Sequence, residues 1–275
     1  MIIIGEKING SIPSTARAIQ ERDEAFIKNL AIRQTETGAD YIDVAAGTRP
    51  ELERNTLKWL ITVVQDTVDT PLCIDSPDPN VLLDMIPLAK KPGMLNSVSE
   101  EHGKCEILLP KVADSEWKIV ALTCDNKGVS PDSKVKFDIA VTIVEKAGKY
   151  GITQDRLFID PLVTAVSTNG GSLLSFNETL TAIKHKYPNV HITSGLSNIS
   201  FGMPYRKAIN QQFLALAMNA GMDSVIMDPT SDDMRATLYA VEALLGLDRN
   251  CRRYLTAFRN GLIGPKKPAE NNYFT

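Results

Sequence analysis

Short apolar, β-branched runs alternate along this chain with longer stretches in which apolar residues return every three or four positions. The short runs predict strands at Ile2–Glu6, Tyr41–Ala45, Leu72–Ser76, Met94–Val98, Ile119–Cys124, Leu157–Asp160, His191–Gly195 and Ser224–Asp228. Several are apolar without a break, as expected of strands covered on both faces. The longer stretches predict helices at Glu24–Thr37, Thr56–Val68, Asn80–Ala89, Gly103–Ala113, Lys134–Tyr150, Phe176–Lys186, Arg206–Asn219 and Asp232–Leu245. Glu24–Thr37 places Phe26, Leu30 and Ile32 around a helix with one apolar face, and Gly38 follows in the position that ends helices. The same ending is read at Ala147-Gly148 and Ala220-Gly221.

Eight strand–helix pairs in 275 residues predict an α/β fold, a single (β/α)₈ TIM barrel over residues 1–260. An open doubly wound sheet usually has fewer strands and a glycine-rich phosphate loop after the first, and neither GxGxxG nor GxxxxGK[ST] occurs here. The tail, residues 261–275, contains Pro265 and Pro268 and reads as an exposed C-terminal extension.

Composition narrows the function. Hydrophobic residues make up 43% and charged residues 23%, which is ordinary for a folded, water-borne chain. Net charge is −3 with no basic run longer than Lys-Lys, so nucleic acid is not an expected partner. The start of the chain lacks a basic, long apolar leader and no run approaches a membrane span, which predicts a cytoplasmic protein. Cys73, Cys105, Cys124 and Cys251 form no CxxC pair and are read as free thiols. His102, His185 and His191 share no ligand spacing, so no metal site is expected.

In barrels of this kind chemistry sits at the C-terminal ends of the strands. There the sequence places Glu6 and Asn9, Asp43, Asp75, Asn96 and Ser97, Asp160, Gly195 and Asn198, and Asp228. This is a ring of acids and amides almost without cations. It suits a neutral ligand with several N–H donors, such as the edge of a pterin, and not a phosphate. Each buried charge-assisted bond of this kind contributes roughly 1.5–3 kcal/mol. Other readings stay open: Asp228 could cap the following helix, and Glu6 and Asp43 could belong to a structural network at the mouth. Asn96 follows Met94-Leu95 within a strand, where an amide is costly unless something satisfies it.

These residues, with Gly5-Glu6-Lys7-Ile8-Asn9, Cys73-Ile74-Asp75-Ser76, Asn96-Ser97-Val98-Ser99, Phe158-Ile159-Asp160-Pro161-Leu162 and the run from Gly195 to Gly202, resemble the pterin-binding methyltransferases. Within them the chain resembles the methyltetrahydrofolate:corrinoid protein methyltransferases, including those serving a corrinoid/iron–sulfur protein and those of O-demethylation systems. The resemblance runs from Ile2 to about Arg259 and extends to the folate module of methionine synthase and to dihydropteroate synthase. It implies that Asp75, Asn96 and Asp160 hydrogen-bond the pterin and that Asn198 lies near the methyl-bearing N5. It also implies that Gly195 lets backbone approach the ring, that Arg206 lies near the extended part of the folate, and that Ile226 touches the ring.

On this reading Asn198, Asp75 and Asp160 carry the catalysis. Asn198 hydrogen-bonds N5, and the proton moves through water and the Asp75 or Asp160 network. No histidine, lysine or cysteine of the ring stands out as a proton donor. The corrinoid is expected on a partner protein docking at the C-terminal mouth, since no Asp-x-His-x-x-Gly segment is present. A homodimer is expected by analogy. The competing readings are a dihydropteroate synthase-like enzyme and a non-catalytic folate-binding protein. The first would want basic residues after strands seven and eight, where the chain has Gly195-Leu196-Ser197-Asn198 and Met227-Asp228-Pro229-Thr230. A Schiff-base aldolase would need a lysine within a strand, and the predicted strands hold none.

Overall fold

The structure is a computed structural model that describes residues 1–265. The strands are β1 (Ile2–Asn9), β2 (Tyr41–Ala45), β3 (Leu72–Asp75), β4 (Met94–Glu100), β5 (Lys118–Asp125), β6 (Leu157–Asp160), β7 (His191–Ile192) and β8 (Ser224–Met227). All pairings are parallel and run in the order β7-β6-β5-β4-β3-β2-β1-β8. The ends of this sheet meet at a parallel bridge between Gly195 and Ile226, where Ile226 N donates to Ser194 O at 2.9 Å. The barrel expected from the alternation is therefore present.

The two largest differences from the expected strand bounds are in β7 and β1. The predicted strand His191–Gly195 is regular only over His191–Ile192; beyond it Thr193 N still donates to Ile159 O, but the Gly195 amide turns to the Asp160 side chain. The predicted strand Ile2–Glu6 continues to Asn9, with a register shift between Gly5 and Ile8.

The helices are α1 (Pro13–Glu21), α2 (Glu24–Glu36), α3 (Pro50–Gln65), α4 (Pro79–Met85), α5 (Lys104–Val112), α6 (Ser133–Lys149), α7 (Ser172–Lys186), α8 (Arg206–Ala220), α9 (Asp232–Leu244) and α10 (Arg252–Arg259). α1 and α10 were not read from the sequence, being short and mostly polar. Starts follow local chemistry: Pro13, Pro50 and Pro79 occupy first-turn positions, and the side chains of Asp23, Asp78 and Asp132 accept from the amides of Phe26, Asn80 and Lys134. Gly221 ends α8 in the left-handed region with φ 115°. Gly148, read as a helix end, lies inside α6, and the turn falls to Gly151 with φ 74°.

Apolar residues pack in two places. The larger cluster lies between the strands and the helices, and a smaller one joins Ile4, Cys73, Met94, Val120 and Phe158 from five strands, with Ile2, Tyr41, Leu122 and Ile226 against it. This smaller cluster is the floor of the barrel interior. Because side chains alternate along a strand, the next inward position lies two residues on. From Ile4, Cys73, Met94 and Phe158 that position is Glu6, Asp75, Asn96 and Asp160; from Tyr41 and Ile226 it is Asp43 and Asp228. An apolar layer thus carries an acidic layer directly above it.

Candidate functional site

This acidic layer faces the mouth, and two of its members, Asp43 and Asp75, lack the partners that buried acids usually have. Asp43 is 2% exposed and its Oδ1 has no hydrogen-bond partner. Burial pushes its carboxyl up to about 6, against the pull of Cys73 and Asn96 beside it. Burial, and then the nearby charges of Asp43 and Glu53, push Asp75 well above the ordinary carboxylate range. Glu53 itself accepts from Ser76 Oγ at 2.8 Å.

Asp160 is the better-held member. It is buried, Leu162 N donates to its Oδ1 at 2.8 Å, and Gly195 N lies 3.4 Å from its Oδ2. Burial outweighs these bonds and lifts it to about 6. The loop behind it is fixed by Lys136, a buried lysine of α6 whose Nζ donates to Leu162 O at 2.9 Å. Sequence reading passed over Lys136, although a lysine at an apolar position of an amphipathic helix is a visible signal.

Across the mouth, burial lifts Glu6 to about 7; Ser197 Oγ donates to its Oε1 at 3.1 Å and opposes the shift, while Asp228 adds to it. Asn96 lies at the inward position of β4 next to Ser97, where the register with β5 shifts. Asn198 sits exposed on the turn Leu196–Ser200, close enough to Gly195 that a Cβ there would meet its Nδ2 at 3.0 Å. Ile226 joins the apolar floor.

The geometry corrects one expectation and adds partners to three of the named residues. The ring is not almost without cations: the bulge in β1 turns Lys7 to the mouth, where its Nζ lies 3.4 Å from Asp228 Oδ2, both partly exposed. A lysine is therefore available in the ring. Asp228 Oδ1 accepts from Thr230 N and Oγ1, at 2.9 and 2.6 Å, so this acid closes the loop before α9. Asn9 similarly accepts from Ser11 N at 2.8 Å and shapes a rim turn. Arg206 directs its guanidinium to the turn itself, with Nη2 to Ser197 O at 2.6 Å and Nε to Ser200 Oγ at 3.0 Å.

Among the described residues no cluster of three or more His, Cys, Asp or Glu side chains is arranged to hold a metal ion. The four cysteines are free, three of them buried. No described helix is long and apolar enough to cross a membrane.

The "pterin binding enzyme" family matches residues 8–228, a span that contains Asp43, Asp75, Asn96, Asp160 and Asp228 of this layer and begins just after Glu6. The chain belongs to the pterin-binding enzyme family. It is 54% identical over 267 residues to the methylcorrinoid:tetrahydrofolate methyltransferase of Eubacterium limosum, covering 96% of this chain and 98% of that protein. It is 28% identical over 240 residues, 82% of this chain, to methionine synthase of Mycobacterium tuberculosis, of which the match spans 20%. Among solved structures, dihydropteroate synthase of Xanthomonas albilineans in complex with 7,8-dihydropteroate superposes with TM-score 0.62 at 19% identity, covering 90% of this chain and 93% of that one. The Yersinia pestis dihydropteroate synthase superposes with TM-score 0.65 at 16% identity, covering 89% and 94%. These two likenesses establish the shared barrel.

Proposed function

We propose that the mouth holds a reduced folate by the hydrogen-bonding edge of its pterin, and that the protein moves a methyl group between N5 of that folate and the cobalt of a corrinoid carried by a partner protein. The observation that carries this reading is the inward layer of Asp43, Asp75, Asn96 and Asp160 lying directly on an apolar floor, with Asp43 Oδ1 unpartnered and Asp75 raised by burial and neighbouring acids. A flat ring can rest on the floor while its amino and N3–H groups supply the donors that the fold withholds. Binding of such donors favours the charged form of these acids, so folate binding releases protons near neutral pH.

The 54% identity to an enzyme named for methylcorrinoid and tetrahydrofolate supports this substrate pair and the direction from corrinoid to folate. The docked methylcorrinoid supplies the methyl group, its Co–C bond breaking with the electron pair left on cobalt as Co(I). N5 takes it with its lone pair and must lose its own proton. Asp160, lifted only to about 6, is ionised at neutral pH and accepts that proton through water. Asn198 hydrogen-bonds N5 and holds its lone pair toward the open side. That side is accessible to a protein-borne group: Asn198 is exposed, and Phe201 and Tyr205 beside it are 70% and 79% exposed. These two aromatics form the rim on which the partner docks.

A pyrophosphate-handling, dihydropteroate synthase-like role fits less well, because Lys7 is paired with Asp228 and Arg206 with the turn. The exposed Leu216, Leu244, Leu247, Leu255 and Phe258 on and near α8–α10 support a homodimer. The free thiols are in keeping with a reducing cytoplasm. Mixing the protein with methylcobalamin and tetrahydrofolate tests the central reading. The cobalt spectrum is expected to change to that of the demethylated corrinoid as methyltetrahydrofolate forms. An unchanged spectrum with folate bound leaves only a binding protein.

A further inference from the structure

Asn198 is presented by a turn that other elements grip from two sides. From β1, Glu6 Oε1 accepts from the Ser197 hydroxyl at 3.1 Å. From α8, Arg206 holds the Ser197 carbonyl at 2.6 Å and the Ser200 hydroxyl at 3.0 Å. Within the turn, Asn198 N donates to Gly195 O at 3.2 Å and Asn198 O accepts from Phe201 N at 3.2 Å. The residue before Asn198 is thus fastened to the barrel wall by its side chain and to a helix by its backbone. Glu6 stands one inward step above Ile4 of the floor, so its position is set by the barrel and not by a loop.

We propose that Glu6 is a positioning residue for methyl transfer: its carboxylate, acting through the Ser197 hydroxyl, sets the turn so that Asn198 meets N5, and Glu6 itself is not a folate ligand. This rests on the methyl-transfer reading and deepens it. An ionised carboxylate only accepts, and it holds the Ser197 hydroxyl more strongly than a carboxylic acid does. The charged groups facing Glu6 are Lys7 on its own strand, Asp43 on β2 and Asp228 after β8. Burial and the two acids raise Glu6 to about 7, so its charge changes near neutral pH and the grip on the turn changes with it.

The test combines kinetics with a spectroscopic readout. Single-turnover methyl transfer at saturating folate, and folate affinity by calorimetry, are measured for wild type, Glu6→Gln, Ser197→Ala and the double variant. Each single change is expected to lower the saturated rate about 10–100-fold, as small misplacements of a reacting group do. Folate affinity should move less than about threefold, since ground-state contacts are kept. The double variant should lose no more than the worse single one. Multiplying losses overturn the proposal, and so does a loss confined to folate affinity.

Independently of turnover, the Asn198 amide resonance should titrate with a midpoint near 7 in the wild type and not in Glu6→Gln. A wild type that transfers no methyl group overturns the underlying reading and this proposal together. A transferring wild type whose Asn198 amide ignores Glu6 overturns this proposal alone.

Discussion

Aspartates stand at both ends of the barrel and live under opposite conditions. At the N-terminal end, Asp223 accepts from Lys184 Nζ at 2.8 Å and Ile192 N at 2.7 Å, and His191 Nδ1 lies 3.2 Å away. Burial alone would push its carboxyl up, but His191, Lys184 and the Ile192 amide outweigh that and hold it below the ordinary range. At the mouth, Asp43, Asp75 and Asp160 are shifted the other way, with burial the leading cause in each. The same side chain serves the fold where cationic partners surround it and is available to a ligand where burial outweighs what partners it has.

The largest expected break in this comparison comes at the mouth. Asn198→Ala should slow methyl transfer about 10²–10³-fold, the usual loss when a hydrogen bond to the reacting atom is removed. Rapid-mixing measurements at saturating folate check this; an effect on folate affinity alone would remove Asn198 from the reaction. Asp160→Asn and Asp75→Asn should weaken folate binding by about 1.5–3 kcal/mol each, or roughly 10–100-fold. Calorimetric titration decides it, and unchanged affinity contradicts the pterin-holding role.

Two smaller effects concern stability and have opposite signs. The folded-state value of Asp43 is raised, so its charge opposes folding at high pH, and this penalty disappears once both states are protonated. Asp43→Asn should therefore stabilise the protein by about 2 kcal/mol at pH 8. The gain should fade as pH falls from about 6 to about 4. Thermal melts across that window test it, and a pH-independent difference counts against the account. For Asp223 the folded value is depressed, so its contribution is present above the unfolded value near 3.9 and is lost as pH falls through the folded one. Its side chain is 37% exposed, so after solvent screening Asp223→Ala should cost only about 1–2 kcal/mol. Methyl transfer should be unaffected, and a large catalytic loss would show that the two ends are not independent.

The strand-end acids were legible because strand sequence has a period of two and barrel chemistry sits at one end. Asp75, Asn96 and Asp160 could be named from that alone. Lys7 was missed since only the β1 bulge turns it to the mouth, and a bulge leaves no mark in a run such as Gly5-Glu6-Lys7-Ile8. The grip of Arg206 on Ser197 and Ser200 left no mark in the sequence, because those partners come from the preceding loop and are set by packing. Asp228 and Asn9 proved to be turn-formers as well as rim residues, a local bond that sequence permits without selecting. α1 and α10 went unread because short polar helices carry little periodic signal.

What the sequence determined by itself is the alternation that closes eight strands into a barrel and the apolar-then-acidic order along each of them. These follow from side-chain direction, a property of single residues and their neighbours. Only the tertiary structure decided which acids are satisfied and which are left short: Asp223 meets Lys184 and His191 from other elements, while Asp43 and Asp75 meet each other. Partnership depends on what the closed barrel brings within bonding distance, and that distance exists only after folding.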